Sequence, residues 1–440
     1  MKTKYFELTA SEFTWNVSEE KQIVAWGFNQ MIPGPTIDTE RGDMIHVKVT
    51  NNLPEPTVIH WHGIQLPAEM DGTDSVQAPI APGATFEYRF IVPDAGTFWY
   101  HSHQNETVQM ERGMYGALVV REQSEIITDA ERVLMIDDMK LDDNNAFTNG
   151  NSLSRWIERH DGREGKTLLI NGKENYEINM LAGQTERWRI INASSARYVR
   201  FYLGGSTFRI IATDGGLIEN PVDTTEILLV PGERYDILVG PFNEGENFMI
   251  ESLPYNRRTF IKSRREKLGS LIVGQPAQSK FHLPESLRAI APLAPQHAIA
   301  NRKVKFSVGA SLRNGLEFLI NGDTHASDAP VTIGELQIWD VSNTSLMDHP
   351  FHLHGFFFQV LEVNGVAPAF QSWKDTVNLP PRSRVKIAWM PDNRPGSWMY
   401  HCHIIEHHEA GMMGHFDVVP ANGASKKSAH THHPHQHAHH

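Results

Sequence analysis

The chain has 440 residues, too many for a single β-sandwich and enough for two to four domains. Hydrophobic residues make up 40% and charged residues 21%, as in ordinary globular proteins, and a net charge of −12 argues against nucleic-acid binding. No apolar run approaches the roughly 18 residues of a membrane helix, and the N-terminal segment MKTKYFELTASEF lacks the apolar stretch of a signal peptide, so neither is expected.

The predicted secondary structure is a series of short strands. Segments such as Met44–Thr50 and Arg187–Ile191 are short, rich in β-branched residues and bounded by Gly, Asn or Pro. Long amphipathic helical patterns are scarce, and 25 prolines and 33 glycines interrupt the chain. This pattern predicts an all-β architecture built from sandwiches.

An internal repeat indicates three related sandwiches. Three segments share a Gly-to-Asn spacing and an alternating apolar middle: Gly42–Asn51, Gly183–Asn192 and Gly334–Asn343. Proline-containing turns precede a further strand in each repeat: Ala81–Gly83, Val230–Gly232 and Pro380–Pro381. We therefore predict domains at 1–120, 121–274 and 303–420. The Pro-, Ala- and Gln-rich segment 275–302 is predicted to be a linker, and the His-rich segment 421–440 a disordered tail.

Histidine forms four tight clusters, two in each end domain. The clusters are His60-Trp-His62, His101-Ser-His103, His349-Pro-Phe-His352-Leu-His354, and His401-Cys402-His403 followed by His407. Side chains at i and i+2 of a strand point the same way, so each His-x-His presents two imidazoles on one face. Neutral imidazole is a common ligand of copper, zinc, iron and nickel. The four clusters predict metal binding, and the middle domain, which has no cluster, is expected to act as a spacer and packing partner.

The single cysteine lies inside the fourth cluster. Cys402 should face away from His401 and His403, so one strand could serve two metal sites. One Cys and two His with a nearby thioether, here Met412, are the ligands of a blue copper site, and ordinary core packing is the alternative for Met412. Once His349 and His407 are assigned to Cys402, eight histidines remain, which suits a cluster of three metals shared by the two end domains.

These motifs resemble the four copper signatures of multicopper oxidases. The matching segments are His60–Gly63, His101–His103, His349–Gly355 and His401–Met412, in that order. The chain looks like a bacterial laccase or a related copper-efflux oxidase. The resemblance implies three cupredoxin-like Greek-key β-sandwich domains and four coppers per chain. It also implies one-electron oxidation of phenols, aromatic amines or low-valent metal ions such as Cu(I), Fe(II) or Mn(II), with reduction of O2 to water.

Carried over residue by residue, the resemblance assigns every ligand. The type 1 ligands would be His349, Cys402 and His407, with Met412 axial. The type 2 ligands would be His60 and His352. The type 3 ligands would be His62, His101, His103, His354, His401 and His403. Substrate oxidation is expected near whichever of His349 and His407 presents an edge to solvent.

Proton delivery to O2 should need a carboxylate near the cluster. Asp71 matches the family's acidic residue after the first motif, although an aspartate before Gly72 could simply serve a turn. Many bacterial relatives carry glutamate directly after the last type 1 histidine, where this chain has His408. Glu409 is therefore the candidate for the second proton relay, with Glu406 and His408 as alternatives.

Two other classes compete with a four-copper oxidase. A copper nitrite reductase would lack the paired His-x-His motifs of a type 3 centre, and a non-catalytic copper carrier would be expected to have lost ligands. The 15 methionines are scattered rather than gathered in an insertion, which favours organic substrates over a dedicated cuprous oxidase. We expect a monomer. The resemblance suggests a periplasmic or extracellular location, which the missing signal peptide does not support.

Overall fold

A computed structural model describes residues 1–122, 126–148, 150–311 and 315–421. The tail predicted to be disordered lies, from residue 422 onward, outside the described residues. The described chain is mostly β-strand, with three short α-helices, none of which is long and apolar enough to cross a membrane. Its strands fall into three successive groups, each forming two sheets.

The first group has eight strands. They are β1 (Thr3–Asn16), β2 (Gln22–Phe28), β3 (Gly34–Glu40), β4 (Met44–Asn51), β5 (Ile59–His62), β6 (Thr85–Ile91), β7 (Gly96–Ser102) and β8 (Tyr115–Arg121). One sheet has the order β2-β1-β4-β6 and the other β3-β8-β7-β5. A 3-10 turn (Ala68–Met70) follows β5, and helix α1 (Glu106–Gln109) follows β7.

The second group has eleven strands and helix α2 (Ser152–Asp161). The strands are β9 (Ala130–Met139), β10 (Thr167–Ile170), β11 (Tyr176–Ala182), β12 (Glu186–Asn192), β13 (Val199–Leu203), β14 (Phe208–Thr213), β15 (Gly216–Thr224), β16 (Glu226–Leu229), β17 (Arg234–Val239), β18 (Asn247–Leu253) and β19 (Glu266–Pro276). Their sheets have the orders β10-β9-β12-β17-β14-β15 and β11-β19-β18-β13-β16.

The third group also has eleven strands, with helix α3 (Ile405–Glu409). The strands are β20 (Arg302–Ser311), β21 (Gly315–Ile320), β22 (Ala326–Ser327), β23 (Val331–Thr332), β24 (Gln337–Asn343), β25 (His349–Leu353), β26 (Phe358–Val363), β27 (Thr376–Leu379), β28 (Arg384–Trp389), β29 (Gly396–Cys402) and β30 (Met413–Val419). One sheet has the order β21-β20-β24-β28-β26 and the other β22-β30-β29-β25-β27.

The sequence repeat corresponds to one strand in each group. Strands β4, β12 and β24 each pair in parallel with the first strand of their group and antiparallel with a later one. The asparagine that ends each repeat is buried: Asn51, Asn192 and Asn343. Each side-chain amide donates to main-chain carbonyls of two neighbouring segments and accepts from the N–H two residues ahead. The asparagine recurs because its side chain provides the hydrogen bonds that the buried main chain needs at the same corner of each sandwich.

The core explains why the sheets pack in pairs. Buried apolar side chains of both sheets in the middle group form one cluster that includes the fully buried Trp188. A second cluster runs through the first and third groups and contains Trp61 and Trp339, so the two end sandwiches share apolar packing. The predicted all-β fold of three sandwiches is confirmed, while the domain limits remain predictions. The shared packing of the end sandwiches brings the two histidine-bearing halves of the chain together.

Candidate metal centre

Strand register aligns the histidine motifs in pairs. In the first sandwich β5 pairs antiparallel with β7, which sets His60 opposite His101. In the third, β25 pairs antiparallel with β29, which sets His352 opposite His401. Since side chains alternate along a strand, the second histidine of each motif points to the same side as the first. Each sandwich therefore presents four imidazoles on one face.

The two imidazole faces meet. His62 of the first sandwich stacks on His352 of the third with ring centroids 3.8 Å apart, and His60 stacks on His354 at 3.9 Å. The structure thus brings together all eight histidines predicted to share three metals. They are His60, His62, His101, His103, His352, His354, His401 and His403, and all are buried. We call this group the histidine cluster.

The hydrogen bonds of the histidine cluster leave ligand atoms free. His60, His101, His352 and His401 each place Nδ1 within 2.8–3.0 Å of a main-chain carbonyl, to which Nδ1–H donates. Within the described residues, the Nε2 atoms of His60, His101 and His352 have no hydrogen-bond partner. Buried polar atoms are normally paired, and a carbonyl that fixes one ring nitrogen is the usual support for a metal bound at the other.

The protonation of these rings also fits a metal. Burial lowers the pKa of His101 to about 3 and lowers that of His60 well below its usual value. Neutral rings are the form that binds metal. The donor set therefore fits copper ions held between the end sandwiches.

A second centre lies on the other face of β29. Cys402 Sγ is 3.5 Å from His349 Nδ1 and 3.6 Å from His407 Nδ1, and the two Nδ1 atoms are 3.2 Å apart. Met412 is buried; its carbonyl accepts from Cys402 N, and its N–H donates to the His407 carbonyl. Burial raises the pKa of the Cys402 thiol, so a thiolate here calls for a bound cation. We call this group the cysteine site.

Neither histidine of the cysteine site reaches solvent, contrary to the expectation of one exposed edge. His349 and His407 are both 0% exposed. His407 Nε2–H donates to the carbonyl of His160 at the end of α2, with the two atoms 3.0 Å apart. His349 Nε2 lies 3.0 Å from Ser345 Oγ. A covering layer to which the middle sandwich contributes therefore separates the cysteine site from solvent.

Asp71 lies against the histidine cluster. Its carbonyl accepts from His60 Nδ1 and its Oδ2 from His354 Nδ1, each at 2.8 Å. Gly72 follows with a φ of +77°, and a Cβ there would lie 1.7 Å from the Ile59 carbonyl oxygen, so the turn requires glycine. Burial raises the pKa of Asp71 to about 8. The residue predicted to relay protons is thus placed next to two cluster rings.

The structure does not bring Glu409 to the histidine cluster. Glu409 is exposed, and its carboxylate accepts from the N–H and the hydroxyl of Thr107. The alternative Glu406 lies 3.5 Å from the Arg163 guanidinium. The other alternative, His408, stacks on His401 with ring centroids 4.1 Å apart.

Glu106 is one functional residue that sequence reasoning missed. His408 Nδ1 donates to Glu106 Oε2 at 3.0 Å, and Glu106 Oε1 lies 3.1 Å from His103 Nδ1. Burial disfavours a charged imidazole, but the Glu106 carboxylate outweighs it and raises the pKa of His408. A buried carboxylate–histidine pair therefore contacts rings from both end sandwiches.

Asp375 is the second missed residue. Its carboxylate accepts from Arg234 at 2.7 and 2.6 Å and from His62 Nε2 at 3.2 Å, while its carbonyl accepts from His352 Nδ1. Burial opposes ionisation, but the Arg234 guanidinium outweighs it and holds the pKa of Asp375 well below its usual range. Arg234 lies on β17, so the middle sandwich supports the histidine cluster and is more than a spacer. No spacing in the sequence signals either residue.

Comparisons with known proteins agree with this site. Three segments, residues 9–125, 131–266 and 296–422, match family models described as multicopper oxidase. The multicopper oxidase MmcO of Mycobacterium tuberculosis is 31% identical over 89% of this chain and 82% of that protein. The chain therefore belongs to the multicopper oxidase family, and the resemblance inferred from its motifs is confirmed.

Solved structures of other multicopper oxidases are similar to the chain over nearly its whole length. A multicopper oxidase from Campylobacter jejuni, described as a metallo-oxidase, matches with a TM-score of 0.83 and 31% identity over 94% of this chain and 91% of that one. A laccase-like multicopper oxidase, CueO from a lignin-degrading Ochrobactrum species, matches with a TM-score of 0.82 and 25% identity over 94% and 97%. The protein is a laccase-like, copper-dependent oxidoreductase.

Proposed function

We propose that the protein is a laccase with four coppers per chain that oxidises phenols and aromatic amines and reduces O2 to water. The observation that carries the proposal is the convergence of eight buried histidines. The cysteine site lies beside them, and its Cys402 belongs to the same strand as His401 of the histidine cluster. Copper, when bound, supplies the redox chemistry, taking electrons singly from the substrate and delivering four to O2. Four phenols then lose four electrons and four protons, which convert one O2 into two waters.

We assign the ligands as the family motifs suggest. The cysteine site would hold the type 1 copper through His349, Cys402 and His407, with Met412 as a further ligand. His60 and His352 would hold the type 2 copper. The type 3 pair would be held by His62, His101, His103, His354, His401 and His403. Unpartnered ring nitrogens and neutral imidazoles support metal binding in the histidine cluster, and the approach of Cys402 Sγ to two ring nitrogens supports it in the cysteine site.

The main chain joins the two centres. Cys402 lies directly between His401 and His403, so its backbone is a covalent connection from the thiol to two ligands of the histidine cluster. His352 and Cys402 also share the β25–β29 pairing. Because the connection is built into paired strands, its length is fixed by the fold and does not depend on a mobile segment.

Two groups would deliver the protons that the reduction of O2 consumes. Asp71 would hold a proton at Oδ1, a buried atom that has no hydrogen-bond partner among the described residues and lies 3.5 Å from His60 Nδ1. The His408–Glu106 pair replaces Glu409 as the second candidate, because His408 packs on His401. Both groups lie beside the rings, where general acid catalysis requires the proton donor to be.

Copper content, colour and O2 uptake together test the proposal. The copper-loaded protein should carry four coppers, show a blue band with a near-ultraviolet shoulder, and consume one O2 for four phenols without forming hydrogen peroxide. A screen should include aromatic amines as the second proposed substrate class. It should also include Cu(I), Fe(II) and Mn(II), because one similar protein is described as a metallo-oxidase. A colourless copper-loaded protein would contradict the proposal. Nitrite reduction without the near-ultraviolet shoulder would indicate the competing reductase.

A further inference from the structure

Helix α2 covers the cysteine site and carries an aromatic side chain to the surface. The His160 carbonyl near the end of α2 accepts from His407 Nε2. Trp156, one turn earlier on α2, is 46% exposed, and Phe260 of the segment 254–265 is 57% exposed. Large exposed apolar side chains that lie together commonly mark a binding surface.

The rings of Trp156, His160 and Phe260 form one cluster. The ring centroids of Trp156 and Phe260 are 5.4 Å apart, those of His160 and Phe260 are 4.9 Å apart, and Trp156 and His160 stack at 5.9 Å with an interplanar angle of 18°. We call the three residues the surface aromatic cluster. Asp161 fixes it, since its carboxylate accepts from His160 Nδ1 at 2.6 Å and from Ile261 N at 2.7 Å.

The segment that carries Phe260 is basic although the chain is acidic. The segment 255–265, YNRRTFIKSRR, contains five Lys or Arg residues and no acidic residue, in a chain with a net charge of −12. Arg258 and Arg264 flank Phe260, are exposed, and form no ion pair within the described part of the chain. Exposed guanidinium groups beside aromatic rings suit a ligand that is both aromatic and anionic.

We propose that the surface aromatic cluster binds the ring of a phenolic carboxylate substrate, with Arg258 and Arg264 attracting its carboxylate. This inference rests on the proposed oxidase function and specifies where the electron donor binds. A ring packed on His160 lies against the residue whose carbonyl bonds the ligand His407. The cluster is therefore the aromatic surface that joins solvent to the buried cysteine site through a single residue.

Equilibrium binding tests the aromatic contribution without turnover. Copper-loaded protein would be titrated with 4-methoxybenzoate, which has no phenolic hydroxyl to lose, by isothermal titration calorimetry. Trp156→Ala and Phe260→Ala should each weaken binding by about 2- to 12-fold, the range expected for one aromatic pair. Met249→Ala is the matched control, because Met249 is an exposed apolar residue of β18 outside the cluster and should leave binding unchanged. Unchanged affinity in both aromatic variants would overturn the proposal.

A charge series tests the choice of an anion. Arg258→Gln and Arg264→Gln should raise the KM for a phenolic carboxylate and leave the KM for its neutral methyl ester unchanged. The preference for the carboxylate should also shrink as salt is added, because exposed charges are screened. Equal changes in KM for the acid and the ester would overturn the proposal that the two arginines attract a carboxylate.

Failure of the inference can be told from failure of the proposed function. If the protein is an oxidase whose donor binds elsewhere, the wild type and all four variants remain blue and oxidise phenols with the same KM. If the proposed function itself fails, the wild type consumes no O2 with any phenol.

Discussion

Replacing Asp375 with Asn should weaken copper binding and stability together. The substitution removes the negative charge that Arg234 contacts through two hydrogen bonds of 2.7 and 2.6 Å. It also replaces one of the two carboxylate oxygens with an NH2 group, so a single oxygen is left to accept from both Arg234 and His62. Arg234 is fully buried, and its nearest remaining carboxylate is that of Asp214, 3.6 Å away. The guanidinium charge is therefore left only partly compensated.

The two losses can be estimated separately. Removing one partner of a buried ion pair costs about 3–5 kcal/mol of unfolding free energy, and we expect the lower end because Asp214 remains. Removing a group that orients a ligand costs about 10- to 100-fold in metal affinity, or about 1.4–2.7 kcal/mol. Denaturant unfolding of the copper-free protein measures the first loss, and copper retained in competition with a chelator measures the second.

Asp236→Asn separates stability from copper binding. Asp236 is also buried and accepts from Arg187 at 2.6 Å and from Arg189 at 2.9 Å. It contacts no ring of the histidine cluster within the described chain, so its loss should lower stability by a similar amount and leave copper affinity unchanged. If Asp375→Asn lost no more copper than Asp236→Asn, Asp375 would not orient a copper ligand.

Three further changes have distinct expected outcomes. Asp71→Asn should slow reoxidation of the reduced enzyme by O2 more than reduction of the blue copper, measured by stopped-flow absorption; unchanged reoxidation would remove Asp71 from proton delivery. Gly72→Ala should lower copper content, because its Cβ would collide with the Ile59 carbonyl and displace the turn that holds Asp71; normal metal analysis would show that the turn adapts. Trp188→Ala should cost about 3–5 kcal/mol in denaturant unfolding, since Trp188 fills the middle core, and fully loaded protein should keep its blue colour.

The sequence predicts which histidines lie together because their geometry is local. In His-x-His the alternation of a strand alone decides that both rings share a face, and the structure places all eight rings in one buried group. The repeated asparagines were visible for a similar reason, since each satisfies the same corner of the same sandwich. Features set by one strand or one corner can be inferred from spacing.

The supporting residues could not be inferred in this way. Asp375 meets Arg234 across 141 positions and His408 meets Glu106 across 302, and a single charged residue carries no periodic signal. The sequence favours Glu409 because it is next to His408, which stands at the position where relatives carry glutamate. Successive side chains on a helix point about 100° apart, and on α3 that rotation turns Glu409 to Thr107 and His408 to the histidine cluster.

The copper content and spectrum of Cys402→Ser test whether one strand serves two copper centres. If the strand that ends at Cys402 serves two separate centres, the variant should lose the blue band, retain three coppers and keep the near-ultraviolet shoulder of the coupled pair. A variant that stays blue would show that Cys402 is not the blue copper ligand. A variant that folds normally but loses all four coppers and the shoulder would show that the two centres are not separate.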